Sequence, residues 1–321
     1  MSNFWARISG KLRKMKVQST SFLQGRLLSL DVFRGITIAL MIFLANPSGE
    51  LYPAALQHAD WNGWTITDLV FPFFLFIVGA AIPYSLASRL ARGDSKKKLL
   101  IRIARRSVIL FALGIFVSNF PYFDLPTLRI MGVLQRIALC YFFASIIYMS
   151  FKTKRQMFLT ILLPLIYWFF MKFIPVPGYG AGVLEKEGNL AQYIDKLILG
   201  SHIYKYTGAW DPEGILSTIP AIGTTLIGVL AGQYLRSNRN SLEKTVNLFL
   251  LGNLCILVGA LWNVWFPINK NLWTSSYVAF SGGIALSILA ACYYLIDVKK
   301  YTTWTKPFMI LGMNAIATYV L

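Results

Sequence analysis

One imidazole stands where it could do chemistry: His58, within Leu56-Gln57-His58-Ala59-Asp60-Trp61-Asn62-Gly63-Trp64. Imidazole exchanges a proton near neutral pH without further tuning. A neighbouring carboxylate such as Asp60 could orient it as a general base. The plainer reading is that a histidine among tryptophans belongs to an interfacial aromatic belt. Two more ionisable residues, Asp68 and Arg136, lie inside long apolar runs. Charges there are costly, so they mark either a functional site or a structural ion pair. Both sit a short way in from the same end of their runs, and a helix rises about 1.5 Å per residue. An Asp68–Arg136 pair is therefore expected, either tying two helices together or walling a polar cavity. Asn46, beside Pro47, either caps the first apolar helix or turns its amide into that cavity. The three cysteines (Cys140, Cys255, Cys292) lie within apolar runs, with neither a disulfide framework nor metal-ligand spacing, and no metal is expected.

The elements that must position these residues are apolar. The chain has 321 residues, 56% of them hydrophobic and 14% charged. Its mean hydropathy is +0.57. That excess excludes an ordinary soluble domain and a disordered chain. The net charge of +18 suggests nucleic acid, but the basic residues form short runs between long apolar ones, which is the pattern of a membrane protein and not of a nucleic-acid binder. At about 20 residues per span, nine all-α transmembrane spans are predicted: 27–46, 64–86, 105–121, 129–150, 157–174, 214–235, 246–266, 272–296 and 304 to the end. The chain reaches Leu321 inside the ninth, so at least one further span is expected natively. Residues 1–26 read as a basic cytoplasmic segment with neither a cleavable signal nor a folded domain, and 27–321 as the transmembrane domain. With the N-terminus in the cytoplasm, 24 of the 31 basic residues fall on the cytoplasmic side, six outside and Arg136 within a span. The outer side then holds both histidines, His58 and His202, and the long loop 175–213 with Asp195, Asp211 and Glu213. Loops of that length are usually functional. Gly228 and Gly232 form a small-xxx-small pair suited to close helix packing.

Several stretches, taken in order, resemble the heparan-α-glucosaminide N-acetyltransferase family. They are Arg26-Leu27-Leu28-Ser29-Leu30-Asp31-Val32-Phe33-Arg34-Gly35, His58-Ala59-Asp60-Trp61-Asn62-Gly63, Thr67-Asp68-Leu69-Val70-Phe71-Pro72 and Gly132-Val133-Leu134-Gln135-Arg136. They continue with Asp211-Pro212-Glu213-Gly214, Pro267-Ile268-Asn269-Lys270-Asn271-Leu272-Trp273 and Gly312-Met313-Asn314-Ala315. The resemblance implies acetyl transfer from cytoplasmic acetyl-CoA, a co-substrate, to the amine of a glucosamine-type sugar or glycan end across the membrane. It places the active-site histidine on His58 and an asparagine beside the acetyl group on Asn46.

On that reading His58 removes the amine proton, or accepts the acetyl group itself, and Asp60 or another carboxylate orients it. Asn46 donates to the thioester oxygen. Asp68, Asp211 and Glu213 are expected to hold the sugar, joined by Gln135, Arg136, Asn269 and Lys270 from the matching stretches. Arg34, Arg102, Arg105 and Arg106 are expected to receive the CoA phosphates. The pantetheine arm then needs a polar channel lined by parts of the first, second, fourth and sixth spans. The expected location is a bacterial inner membrane, with the site facing outward and a homodimer possible. Two alternatives remain open: O-acetylation of an envelope glycan, and an amino-sugar transporter or flippase.

Overall fold

The computed structural model describes residues 27–45, 56–208 and 210–320, without the side chains of Ala45 and Val320. The expected segment 1–26 and Asn46 lie outside the described residues. The described chain is helical, with an isolated bridge between Val176 and Gly180 and no strand.

The apolar runs become α1 (Leu28–Ala45), α2 (Ile66–Leu90), α3 (Lys96–Asn119), α4 (Val133–Ser150) and α5 (Thr153–Phe173). After the short α6 (Leu190–Leu199) come α7 (Thr218–Leu235), α8 (Ser241–Trp262) and α9 (Ser275–Cys292), the last running on as a π-helical turn, Tyr293–Val298. Two short helices follow, α10 (Thr305–Met313) and α11 (Ala315–Val320). Six described helices are long and apolar enough to cross a bilayer: α2, α4, α5, α7, α8, and α9 with its π turn. The chain is therefore an all-helical membrane protein.

Three departures from the sequence reading have local causes. α3 begins at Lys96, well before its apolar part, because Ser95 accepts from Lys98 N at 3.3 Å and Asp94 pairs with Lys98 and Arg102. The last apolar run breaks in two at Asn314. The 175–213 loop contains α6, whose N-cap Asn189 accepts from Gln192 N.

Glycines set the tightest crossings. A Cβ on Gly228 would lie 2.0 Å from the Phe76 carbonyl oxygen, and one on Gly79 would lie 1.9 Å from that of Thr225. α7 thus lies backbone to backbone on α2, as the small-residue pair suggested. Gly35 and Gly312 do the same for α1 and α10, where added Cβ atoms would meet Phe308 O at 1.7 Å and Asp31 O at 2.1 Å. The outer helices α5 and α8 leave Phe158, Ile161, Leu250 and Leu257 exposed, an apolar surface suited to lipid.

Candidate active site

α2 starts at Ile66, with Thr65 as N-cap, and carries Asp68 in its first turn. A helix N-terminus offers free N–H groups and a positive dipole end to a carboxylate. Asp68 Oδ2 accepts from Thr65 N at 3.0 Å, Ala59 N at 3.1 Å and Thr65 Oγ1 at 3.2 Å. The other oxygen, Oδ1, lies 2.6 Å from His58 Nδ1. A ring nitrogen that close to a carboxylate carries the proton. Nδ1–H therefore donates to Asp68, and in the neutral ring the lone pair sits on Nε2. Asp68 is buried, whereas the His58 side chain is 57% exposed and lines the cavity described below. Gly63, at φ 100°, lets the chain fold back between the two residues. This turn makes Asp68, not Asp60, the carboxylate against His58. Asp60 is exposed and makes no hydrogen bond among the described residues.

A second loop clamps onto the first. Gly63 N–H donates to Ile268 O at 2.7 Å, and Asn269 Nδ2 donates to Asn62 Oδ1 at 3.1 Å. Asn269 is fully buried and also accepts from Leu272 N at 2.9 Å, so it braces the loop. Its neighbour Lys270 is delivered to the histidine, with Nζ 3.1 Å from His58 Nδ1 and 3.6 Å from Asp68 Oδ1. Burial pulls the Lys270 ammonium below the ordinary lysine pKa, against the opposing charges of Asp68 and Glu213.

The expected Asp68–Arg136 pair does not form. Arg136 is fully buried, donates to Gly214 O at 3.0 Å and to Ser217 Oγ, and lies over the Trp273 ring. It therefore faces α7 while Asp68 faces His58. Gln135 is buried beside it, with no hydrogen-bond partner for either side-chain polar atom. Asp211 and Glu213 are brought together by Arg129, which sequence reasoning missed. Arg129 Nη2 reaches Asp211 at 2.8 Å and Glu213 at 2.6 Å, and its Nε reaches Asp211 at 3.2 Å. Asp211 also accepts from Tyr204 N and Glu213 N, so it is a structural hub. Glu213 lines the cavity. Beneath them lies Asp195, whose carboxyl burial pushes up to about 7. A Cβ on Gly214 would strike that carboxyl at 1.9 Å, which accounts for the glycine in the Asp211–Gly214 stretch. Arg129→Met removes the counter-charge of a buried carboxylate and is expected to destabilise the protein by about 3–5 kcal/mol. Thermal melting in detergent checks this.

A cavity of about 1280 Å³ joins this site to the opposite end of the bundle. Thr67, Val70, Phe74, Ile77, Ala81, Ser85 and Ser88 mark its stripe along α2. From Thr67 to Arg89 the helix climbs about 33 Å. His58, Glu213 and Lys270 line one end, and Arg34, Arg89, Arg92 and Arg106 line the other. α1, α2 and α4 contribute as expected. The sixth span does not: its helix, α7, is locked against α2, and α3 and the α10–α11 segment take its place. Of the expected phosphate-binding residues, Arg34 and Arg106 line the cavity. Arg102 and Arg105 are exposed and do not, and Arg102 pairs with Asp94 at 3.3 Å. Arg89 and Arg92 were visible only as part of the basic run 89–106.

Residues 26–176 match a family described as a domain of unknown function, DUF5009. The chain is 36% identical to heparan-alpha-glucosaminide N-acetyltransferase of Homo sapiens over 355 aligned positions, covering 94% of this chain and 53% of that protein. The protein of the same name from Mus musculus is 35% identical over 352 positions, covering 92% and 53%. The chain thus spans about half the length of the curated relatives it matches.

Proposed function

We propose that this chain, like the heparan-alpha-glucosaminide N-acetyltransferases it matches, is a membrane-embedded acetyltransferase moving acetyl from acetyl-CoA to the amine of a glucosamine-type sugar. The observation that carries this reading is one continuous cavity with arginines at one end and His58, paired with Asp68, at the other. CoA phosphates cannot enter hydrocarbon unpaired, and Arg34, Arg89, Arg92 and Arg106 offer charged, fork-shaped partners. The α2 side of the cavity is apolar between its ends, where a polar channel was expected, and such a wall packs against the alkyl parts of a pantetheine arm. The positive-inside pattern supports a cytoplasmic arginine end and an outward-facing His58, in a bundle of nine spans with its N-terminus inside.

His58 serves as general base. Asp68 holds its tautomer, and Nε2 meets the acceptor amine. Glu213, at the cavity wall, holds the acceptor, and the Asn46 amide contributes to binding the thioester oxygen. Asp211, Arg136 and Asn269 have their side chains engaged in the scaffold, so their part is to hold these groups in place.

The test is acetyl transfer by the purified protein in proteoliposomes, with labelled acetyl-CoA and glucosamine or a glucosamine-ended oligosaccharide. Label on the sugar nitrogen is expected. Label on a hydroxyl instead, lost in mild alkali, would replace the amine acceptor with an O-acetylation site. Acetyl-CoA that neither binds nor reacts would overturn the enzyme reading in favour of transport.

A further inference from the structure

Lys270 stands closer to the histidine than a residue that merely binds sugar needs to. Its Nζ lies 3.1 Å from Nδ1 and 3.4 Å from Nε2 of His58, and 3.6 Å from Asp68 Oδ1. The side chain is 18% exposed and lines the cavity. Its place is built: the loop is tied to the His58 loop through Gly63–Ile268 and Asn62–Asn269, and it is closed by Trp273 N–H donating to Lys270 O at 3.1 Å. The histidine ring leaves a specific need unmet. Its Nδ1 proton is committed to Asp68, and Nε2 must be bare to receive a proton, so neither nitrogen can donate to a carbonyl oxygen during attack.

We propose that Lys270 is a catalytic residue of this site, its ammonium binding the thioester carbonyl oxygen and stabilising the negative charge that oxygen acquires. The proposal rests on the acetyl-transfer reading. The neutral amine nitrogen bonds to the carbonyl carbon, and the C=O electron pair moves onto the oxygen beside Lys270. His58 Nε2 takes the proton from nitrogen. The intermediate then collapses with cleavage of the C–S bond, and His58 returns that proton to the leaving thiolate. The products are the amide and the free CoA thiol, with Lys270 unchanged. A preorganised charge aimed at the oxygen where negative charge develops supplies such stabilisation.

The groups facing Lys270 are the His58 ring in the loop before α2, the Asp68 carboxylate in its first turn and the Glu213 carboxylate ahead of α7. The burial that lowers the Lys270 pKa makes its ammonium disappear at a lower pH than an ordinary lysine's. Because the reaction needs the ammonium, the rate falls as pH rises through that value. Arginine keeps its charge there, so Lys270→Arg moves the alkaline limb of the pH–rate profile to higher pH.

The experiment compares the wild-type protein with Lys270→Met and Lys270→Arg. Lys270→Met is expected to lower kcat by about 10²–10³-fold, with KM for both substrates within a few-fold. Lys270→Arg is expected to recover part of the rate and to shift the alkaline limb to higher pH. Infrared spectra of bound acetyl-CoA labelled with ¹³C at the carbonyl give a readout independent of transfer. The stretch should be lowered in wild type and return toward the free value in Lys270→Met; if Lys270→Met fails to fold, the arginine variant and the wild-type spectrum still decide. An unchanged kcat with a raised acceptor KM makes Lys270 a sugar-binding residue and overturns the proposal. So does an alkaline limb that Lys270→Arg leaves in place. Wild-type protein that transfers acetyl while Lys270→Met matches it overturns the Lys270 role alone. Wild-type protein that never binds acetyl-CoA overturns the acetyl-transfer reading and this proposal with it.

Discussion

Asp68→Asn is expected to lower acetyl transfer by about 10²–10⁴-fold while acetyl-CoA still binds. Asp68 holds the proton on Nδ1 of His58 through a 2.6 Å contact, and that fixes the lone pair on Nε2. An amide of the same shape loses the charge and can present N–H instead of oxygen to the ring, releasing the tautomer. The substitution keeps side-chain volume and an acceptor for Thr65 N and Ala59 N, so the helix start survives. His58→Ala should cost at least as much, and the double variant should be no worse than His58→Ala, because residues acting as a unit do not add. Initial rates and calorimetric acetyl-CoA binding on the four proteins decide the matter. An Asp68→Asn variant within tenfold of wild type would remove the dyad from the mechanism.

Ala81→Trp is the second large effect. Ala81 lines the cavity about 21 Å along α2 from Thr67, between the arginines and the histidine. An indole there fills the passage through which the pantetheine arm would thread. Transfer from acetyl-CoA should fall by about 100-fold or more, since small misplacements of reacting groups already cost that much. A short acetyl thioester such as S-acetyl-N-acetylcysteamine, reaching His58 from its own end, should still react. Equal loss with both donors would mean the site itself was damaged. Equal retention would mean the arm does not travel this cavity.

The sequence made the helices legible because lipid leaves little choice: long apolar runs must satisfy their own backbone groups. It also marked His58, through residue type and setting. Which carboxylate would serve His58 was not legible, because Asp60 is nearer along the chain and only the turn at Gly63 brings Asp68 nearer in space. The Asp68–Arg136 expectation failed for a related reason. Counting residues gives depth along a helix but not the direction a side chain faces, and direction is set by crossings such as Gly79 on Thr225 and Gly228 on Phe76. Lys270 lies 212 residues from His58, so no local pattern could announce their contact. Arg129 left a faint signal: it is one of few basic residues on the side assigned as outer, where Asp211 and Glu213 also fall.

The middle of the cavity has a bearing on the cell's energetics. Between Arg89 and the histidine, α2 lines it with Val70, Phe74, Ile77, Val78 and Ala81, side chains that carry no charge. An apolar stripe of this kind solvates an ion poorly, which favours a passage that does not short-circuit the membrane voltage. The proposed exchange respects the same insulation. Acetyl-CoA enters and the CoA thiol leaves with the same charge, an acetyl group having gone out and a hydrogen having come back. A field worth about 2.3 kcal/mol per elementary charge per 100 mV therefore does no work on the transfer. Acetylation should run at the same rate in energised and de-energised vesicles.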